Sequence, residues 1–250
     1  MLPVILSIGV RSALLAGRQI AVKLGPPKSP CRSHLDFSGQ TLDGFERSNT
    51  VIEGERLSFR GANLSRGTVN LSGARLVDAE IDFSGATMEG CTIDLSGAVL
   101  TGSTLRFDRV GASGSFINLA FARFDRSRLS FSGATFRGGA IDHLYAKLRD
   151  TTVNMQGSRF TGSVVDYGFC SVTGGTFDFR DSALQGTEID FSGTKFEVTS
   201  VELFGSDSLS SVALTFEGVQ FTAGGGISLD GKTLTSAQAL RDRFGSANPI

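Results

Sequence analysis

The stretch that decides the fold is Ile81-Asp-Phe-Ser-Gly-Ala-Thr-Met-Glu-Gly-Cys-Thr-Ile93-Asp-Leu-Ser-Gly-Ala98, "IDFSGATMEGCTIDLSGA". One phrase begins at Ile81 and begins again twelve residues later at Ile93. Stepping by twelve from Leu57 to Val201 gives thirteen copies, and the first position is apolar in all of them. The third position is Phe, Leu, Met or Tyr except at His143, the sixth is small, and the eighth is usually Leu, Phe, Met or Val. Gly stands at the fifth position in 8 of 13 copies and at the tenth in 7 of 13. Looser copies extend the array at both ends. Leu35 opens a ten-residue version, Phe45 opens a twelve, and Leu214 and Ile227 are each displaced by one extra residue.

A short fixed period over some 200 residues marks a solenoid, in which each unit buries its apolar side only by stacking on its neighbours. The units are strands. Apolar residues at positions 1, 3, 6 and 8, with polar residues at 2 and 7, make two period-2 segments joined by Gly-containing corners. Gly there supplies the positive φ of a tight turn, and twelve residues with two such corners cannot hold a helix pair. The third position sets the pitch. Phe59, Phe83, Phe107 and Phe131 alternate with Leu71, Leu95 and Leu119, so a coil of 24 residues stacks Phe on Phe and Leu on Leu. At a strand spacing of about 4.8 Å, roughly eight coils make a rod of about 40 Å.

The pieces "ANLSR" (62–66), "ARLVD" (74–78) and "ARFDR" (122–126) resemble the unit of the pentapeptide-repeat family, roughly A-(D/N)-L-x-x. Every second unit here is seven residues long, so the period is 5+7 rather than 5+5. The resemblance covers residues 35–234 and implies a right-handed quadrilateral β-helix. Most members of that family have no assigned activity, and a few resemble double-helical DNA in shape and charge and act on DNA gyrase.

The expected organisation is an apolar, basic segment and linker at 1–34, the solenoid at 35–234, and a capping helix and tail at 235–250. Solenoids need caps because a bare end exposes strand edges and apolar surface. Ser236 or Thr235 as N-cap, with Ala237, Leu240 and Phe244 on one face, predicts a helix over 236–244. At the other end, "LPVILSIGV" (2–10) is apolar, but Arg11 and Arg18 interrupt it before the length a membrane span needs. Residues 2–24 read as a cap helix or leader, as a membrane-surface attachment, or as an organelle-targeting peptide. Cys31, Cys91 and Cys170 are too few and too scattered for a disulfide framework or a zinc cluster, and they fit a reducing, cytoplasmic compartment. A solenoid end is also a candidate homodimer contact.

The formal net charge is -1, so no global field recruits nucleic acid, and direct nucleic-acid binding is not expected. No Ser-His-Asp spacing, P-loop, dinucleotide fingerprint, HExxH or CxxC occurs, and no cofactor is called for. A carbohydrate-active β-helix enzyme would need loops to build a groove, which this array hardly has. His143 sits at an inward position with Tyr167 one coil on. A buried His needs a partner, and the Tyr167 hydroxyl is the expected one, with Asp142 and Asp166 pointing outward beside them. Phe121, Tyr145 and Phe169 replace corner Gly in three successive coils. They either form an exposed apolar stripe for a partner or turn inward to fill a widened coil, and the loss of neighbouring Gly favours packing. Asp94, Asn118, Asp142, Asp166 and Asp190 share one column at position 2. That column is either an acidic strip for a basic partner or a row that merely has to be polar. The functional expectation is a non-enzymatic interaction or scaffold surface, with a DNA-mimicking topoisomerase inhibitor as the alternative and a β-helix enzyme as a third reading.

Overall fold

The computed structural model describes residues 22–23, 33–203, 212–229 and 232–244. Each coil carries four short strands. In the coil that begins at Glu80 they are Glu80–Asp82, Thr87–Glu89, Thr92–Asp94 and Val99–Thr101, which define the first, second, third and fourth faces. The strands alternate with long corners (83–86, 95–98) and short ones (90–91, 102–103). Each strand pairs in parallel with its equivalent one coil on, Ile81 with Leu105, Met88 with Ala112, Ile93 with Ile117 and Leu100 with Phe124. Residue n therefore lies over residue n+24. The chain is a four-sided parallel β-solenoid. The first face runs from His34–Asp36 to Gly226–Leu229, and the second and third faces belong to one sheet because Asn63–Asn70 is continuous across their corner.

The ragged ends follow the irregular copies. Leu35 pairs with Leu57, a step of 22 set by the ten-residue copy. Ile189 pairs with Leu214 and Val201 with Ile227, steps of 25 and 26 set by the added residues. Lys232–Leu234 then folds back antiparallel on Gly226–Leu229. The helix Ala237–Phe244 follows, its Ala239 amide donating to Ser236 Oγ at 3.1 Å, an N-cap that satisfies an otherwise orphan donor. Leu240 is fully buried, with Ala237 and Leu234 packed on the same apolar end. The Phe244 side chain, and the reading of residues 2–21 as a helix or leader, lie outside the described residues. Val22–Lys23 form a strand paired with Phe45–Glu46 at the N-terminal end of the third face. Among the described residues no helix is long and apolar enough to cross a membrane.

The core is a set of ladders. Phe59, Phe83, Phe107 and Phe131 stack face to face with centroids 4.8–5.0 Å apart, as a 24-residue coil at strand spacing requires. Such offset-stacked pairs add to the area they bury. The fifth and tenth positions adopt positive φ in every copy from residue 57 to residue 198, whether or not Gly stands there. The corner is thus a backbone property of the coil, and the residue placed on it only decides its cost.

Position 2 has a defined task. In Asp82, Asp94, Asp142, Asp166 and Asp190 the carboxylate Oδ1 accepts the amide two residues on, at 2.6–2.9 Å. This Asx-turn closes the long corner, and Asn118 does the same for Ala120. Where Ser130 stands at position 2, Asp108 of the coil before caps the Ser132 amide instead.

Candidate functional site: an aromatic corner between two charged rows

The long corner between the third and fourth faces is where the repeat departs furthest from its own rule. Phe121, Tyr145 and Phe169 occupy its fifth position at φ 60°, 59° and 54°. A bulky residue with a left-handed backbone is a genuine outlier, costing about 1–2 kcal/mol relative to glycine. Their amides still donate to the next coil, to Leu144 O, Gly168 O and Ser192 O at 2.7–3.0 Å, as the corner glycines do. Only the side chains differ. These are 60%, 45% and 55% exposed, so the expectation that they turn inward to fill a widened coil is corrected. In the left-handed conformation the Cβ leaves the corner toward solvent, and there is no widened coil. The rings stack on one another outside the solenoid, centroids 5.3 and 5.2 Å apart and planes within 18°. Both faces of Tyr145 and the inner faces of Phe121 and Phe169 are covered by stacking, and the ring edges form a ridge.

The ridge separates two rows of opposite charge. On the third face stand Asp94, Asp142, Asp166 and Asp190, half-buried, their bonds going to the corner amides and none to a cation among the described residues. Burial, reinforced by Asp190, Asp142 and Glu188, raises the Asp166 carboxyl above its ordinary range. On the fourth face, Arg123, Lys147 and Lys195 are exposed and form no ion pair among the described residues. Of the other charges on that face, Arg149 is taken up by Asp125 at 2.7 and 2.8 Å, Arg75 lies two coils before Arg123, and Glu53 and Glu197 stand farther from the corner.

Directly inside this corner, His143 and Tyr167 are fully buried and stacked at 4.3 Å. The expected hydrogen bond between them is absent. Coil-on-coil stacking lays the rings face to face, which carries the phenol oxygen past the imidazole. Both ring nitrogens and the Tyr167 hydroxyl lack a partner among the described residues. Burial holds the imidazole neutral, its pKa lowered to about 3, and pushes the Tyr167 and Cys170 groups up. Cys170 Sγ donates to His143 O at 3.0 Å. The position-2 carboxylates Asp142 and Asp166 hold backbone amides rather than the imidazole, so nothing here assembles a catalytic group. Among the described residues no cluster of His, Cys, Asp and Glu is arranged to hold a metal.

The strand register defines the class of the molecule: a four-sided parallel β-solenoid, the fold the repeat's resemblance implies. No family model matches the chain, and no curated protein matches it. Among solved structures it is similar to QnrB1, a plasmid-mediated fluoroquinolone resistance protein, at 16% identity over 86% of this chain and 99% of that one, with a TM-score of 0.29. It is similar to HetL, a pentapeptide repeat protein involved in heterocyst differentiation regulation from Nostoc sp. strain PCC 7120, at 16% identity over 81% and 92% of the chains, with a TM-score of 0.24. At these identities and scores the likeness carries no argument about activity. The fold rests on the register of the strands.

Proposed function

We propose that this chain is a non-enzymatic interaction protein whose working surface is the Phe121–Tyr145–Phe169 ridge with its flanking charged rows. One observation carries the reading. Three successive corners hold exposed aromatic rings on a left-handed backbone where the same corner in the neighbouring coils holds Gly73, Gly97 and Gly193. Mutual stacking offsets part of the backbone cost, but the ring edges are left in water, and a local rule broken at the surface is where function is expected. A contiguous exposed apolar stripe rimmed by charge suits protein association. Both faces of Tyr145 and the inner faces of its neighbours are already stacked, which disfavours a row of sugars or nucleobases, since these bind by stacking on open aromatic faces.

The alternative, a DNA mimic acting on a topoisomerase, draws on the position-2 carboxylates alone. Those carboxylates are engaged in capping corners, and the adjoining position-7 row of Arg123, Lys147 and Lys195 is cationic, which spoils an acidic groove-like surface. A gyrase supercoiling assay separates the two readings, and inhibition at micromolar protein would favour the mimic. The direct test of the ridge is affinity capture from the native host with wild-type protein and with the Phe121→Gly, Tyr145→Gly, Phe169→Gly triple variant. The variant keeps every corner hydrogen bond, so partners common to both baits remove the ridge from the mechanism.

A further inference from the structure

Resting on that reading of the ridge, we infer that its partner is a second copy of this chain, docked side by side and parallel through the same corner. Four features of the surface have to be matched at once. The ridge is apolar. One flank is acidic, the other is basic, and both rows repeat at the coil rise, given by the 5.2–5.3 Å ring spacing. A purely acidic or purely basic partner satisfies one flank and is repelled by the other. An α-helix repeats its side chains on a different pitch and angular step and drifts out of step within a few coils. Another copy of this solenoid has the same rise, the same ridge and both rows.

Symmetry selects the arrangement. A two-fold axis parallel to the rods, running between the two ridges, leaves height unchanged and exchanges left for right. Each ring then meets its own copy, and the acidic third face of one protomer meets the basic fourth face of its partner. Position 2 comes opposite position 7 of the same coil. Asp142 faces Lys147 and Asp190 faces Lys195, each pair occurring twice, while Asn118 faces Arg123 and Asp166 faces the neutral Ser171. The antiparallel arrangement, with the axis across the rods, instead sets carboxylate row against carboxylate row. Like-charge juxtaposition opposes it. The contact is isologous and closes on itself as a dimer. It is short, three rings and two half-rows a side, which places it among small, transient interfaces.

Sedimentation equilibrium of the full chain in the low-to-high micromolar range tests this. Wild-type protein is expected to show a concentration-dependent dimer. The triple glycine variant should weaken it by on the order of 100-fold, since central aromatic anchors dominate interfaces of this kind. Lys147→Glu with Lys195→Glu, exposed residues that form no ion pair among the described residues, should weaken it by about tenfold or more. In a Cys31→Ser background, mild oxidation of Phe121→Cys alone should give a disulfide-linked dimer, because residue 121 meets its own copy. Circular dichroism and thermal melting of each variant establish that the solenoid is intact. Wild-type protein that stays monomeric throughout overturns the proposal, and the wider reading of the ridge is then judged by affinity capture alone. A dimer that survives the triple glycine change also overturns it, placing the contact elsewhere, at a solenoid end for instance. Cross-linking only when Phe121→Cys is mixed with Phe169→Cys shows the antiparallel arrangement and equally sinks the parallel one.

Discussion

His143 offers the sharpest test of the interior. Its imidazole is fully buried with both nitrogens unsatisfied, and burial lowers its pKa from 6.5 to about 3. The unfolded chain therefore binds a proton below pH 6.5 that the folded chain refuses until pH 3. Stability from this group is complete above pH 6.5 and is lost as pH falls. Proton linkage between those two values makes the loss about 2 kcal/mol from pH 8 to pH 5, and about 3 kcal/mol by pH 4. Other groups titrate in the same range. Asp82, Asp125 and Asp178, with lowered pKa values, also lose stability as pH falls toward the carboxylate range. Asp166, raised by burial, works in the opposite direction. The difference between wild type and His143→Leu cancels these. Leucine continues the column of Leu71, Leu95 and Leu119 beneath it, is near histidine in size, and removes two unsatisfied nitrogens. Urea unfolding at pH 8 should show the variant more stable by about 1–3 kcal/mol. The gap should widen by about a further 2 kcal/mol at pH 5. A gap that is the same at both pH values refutes a buried neutral imidazole, and a destabilised variant at pH 8 shows that the nitrogens have partners in solution.

Three further outcomes follow from the corners and the pitch. Asp142→Ala removes the acceptor for the Leu144 amide at 2.7 Å and should cost about 1 kcal/mol, as loss of a backbone cap does; Asp142→Asn should be nearly neutral in the same denaturation experiment, and equal losses would refute the Asx-turn assignment. Gly139→Ala places a Cβ 2.1 Å from Ser115 O, whereas Gly85→Ala meets nothing within 4 Å at a similar φ; the first should lower stability by more than about 3 kcal/mol and the second by only about 1 kcal/mol, and similar melting temperatures would contradict the corner geometry. Deleting residues 93–116 joins Thr92 to Ile117, the neighbour of its own register partner Phe116, so a shorter rod should still melt cooperatively. Deleting 93–104 advances the array by half a coil, sets Phe107 on Leu71, and should broaden or abolish the transition seen by circular dichroism.

The pitch was legible because it is written in bulk. Phe over Phe and Leu over Leu at 24 residues is a packing requirement, and the stack of Phe83 on Phe107, centroids 5.0 Å apart and planes within 2°, satisfies it. The step of 22 at Leu35 and the steps of 25 and 26 near the C-terminus were legible for the same reason, since an inserted residue has to displace the register. The corners were read less well. Twelve-residue spacing says that position 5 turns, but it does not say on which side a ring leaves the turn; that is set by the sign of φ, and the absence of Gly at 121, 145 and 169 signals inward packing only where the backbone gives up its left-handed form, which here it keeps. The Asx-turns were hidden in plain polarity. Asp and Asn recur at position 2 far more than Ser, Arg or Glu, and that preference for a short acceptor was the available signal. The stacking of His143 on Tyr167 follows from the coil rise, which leaves no room for an edge-on hydrogen bond.

His143 and Tyr145 stand two residues apart on one corner, the first pointing in and the second out. Tyr167 and Phe169 repeat the arrangement one coil on. The same two coils therefore combine unsatisfied interior atoms, exposed rings, and an Asp166 carboxyl raised by its burial and its acidic neighbours. Left-handed residues other than Gly and unsatisfied buried atoms also occur singly, at Arg109, Asp181, Val198 and Arg47 for instance, but among the described residues they coincide only here. Concentrating them in one place weakens that corner relative to the rest of the rod, because each unsatisfied buried group and each left-handed bulky residue lowers the free energy of local opening. A corner that is both the least stable part of the coil and the part that presents the ridge can adjust to a partner without disturbing the ladders on the opposite side, where Phe59 to Phe131 stack without interruption. Hydrogen exchange gives the argument its edge. The amides of Tyr145 and Phe169, bonded to Gly168 O and Ser192 O, should exchange at least tenfold faster than those of Gly85 and Gly133, which make the same bond on the Phe side of the coil, and equal protection on both sides would show that the corner carries no such weakness.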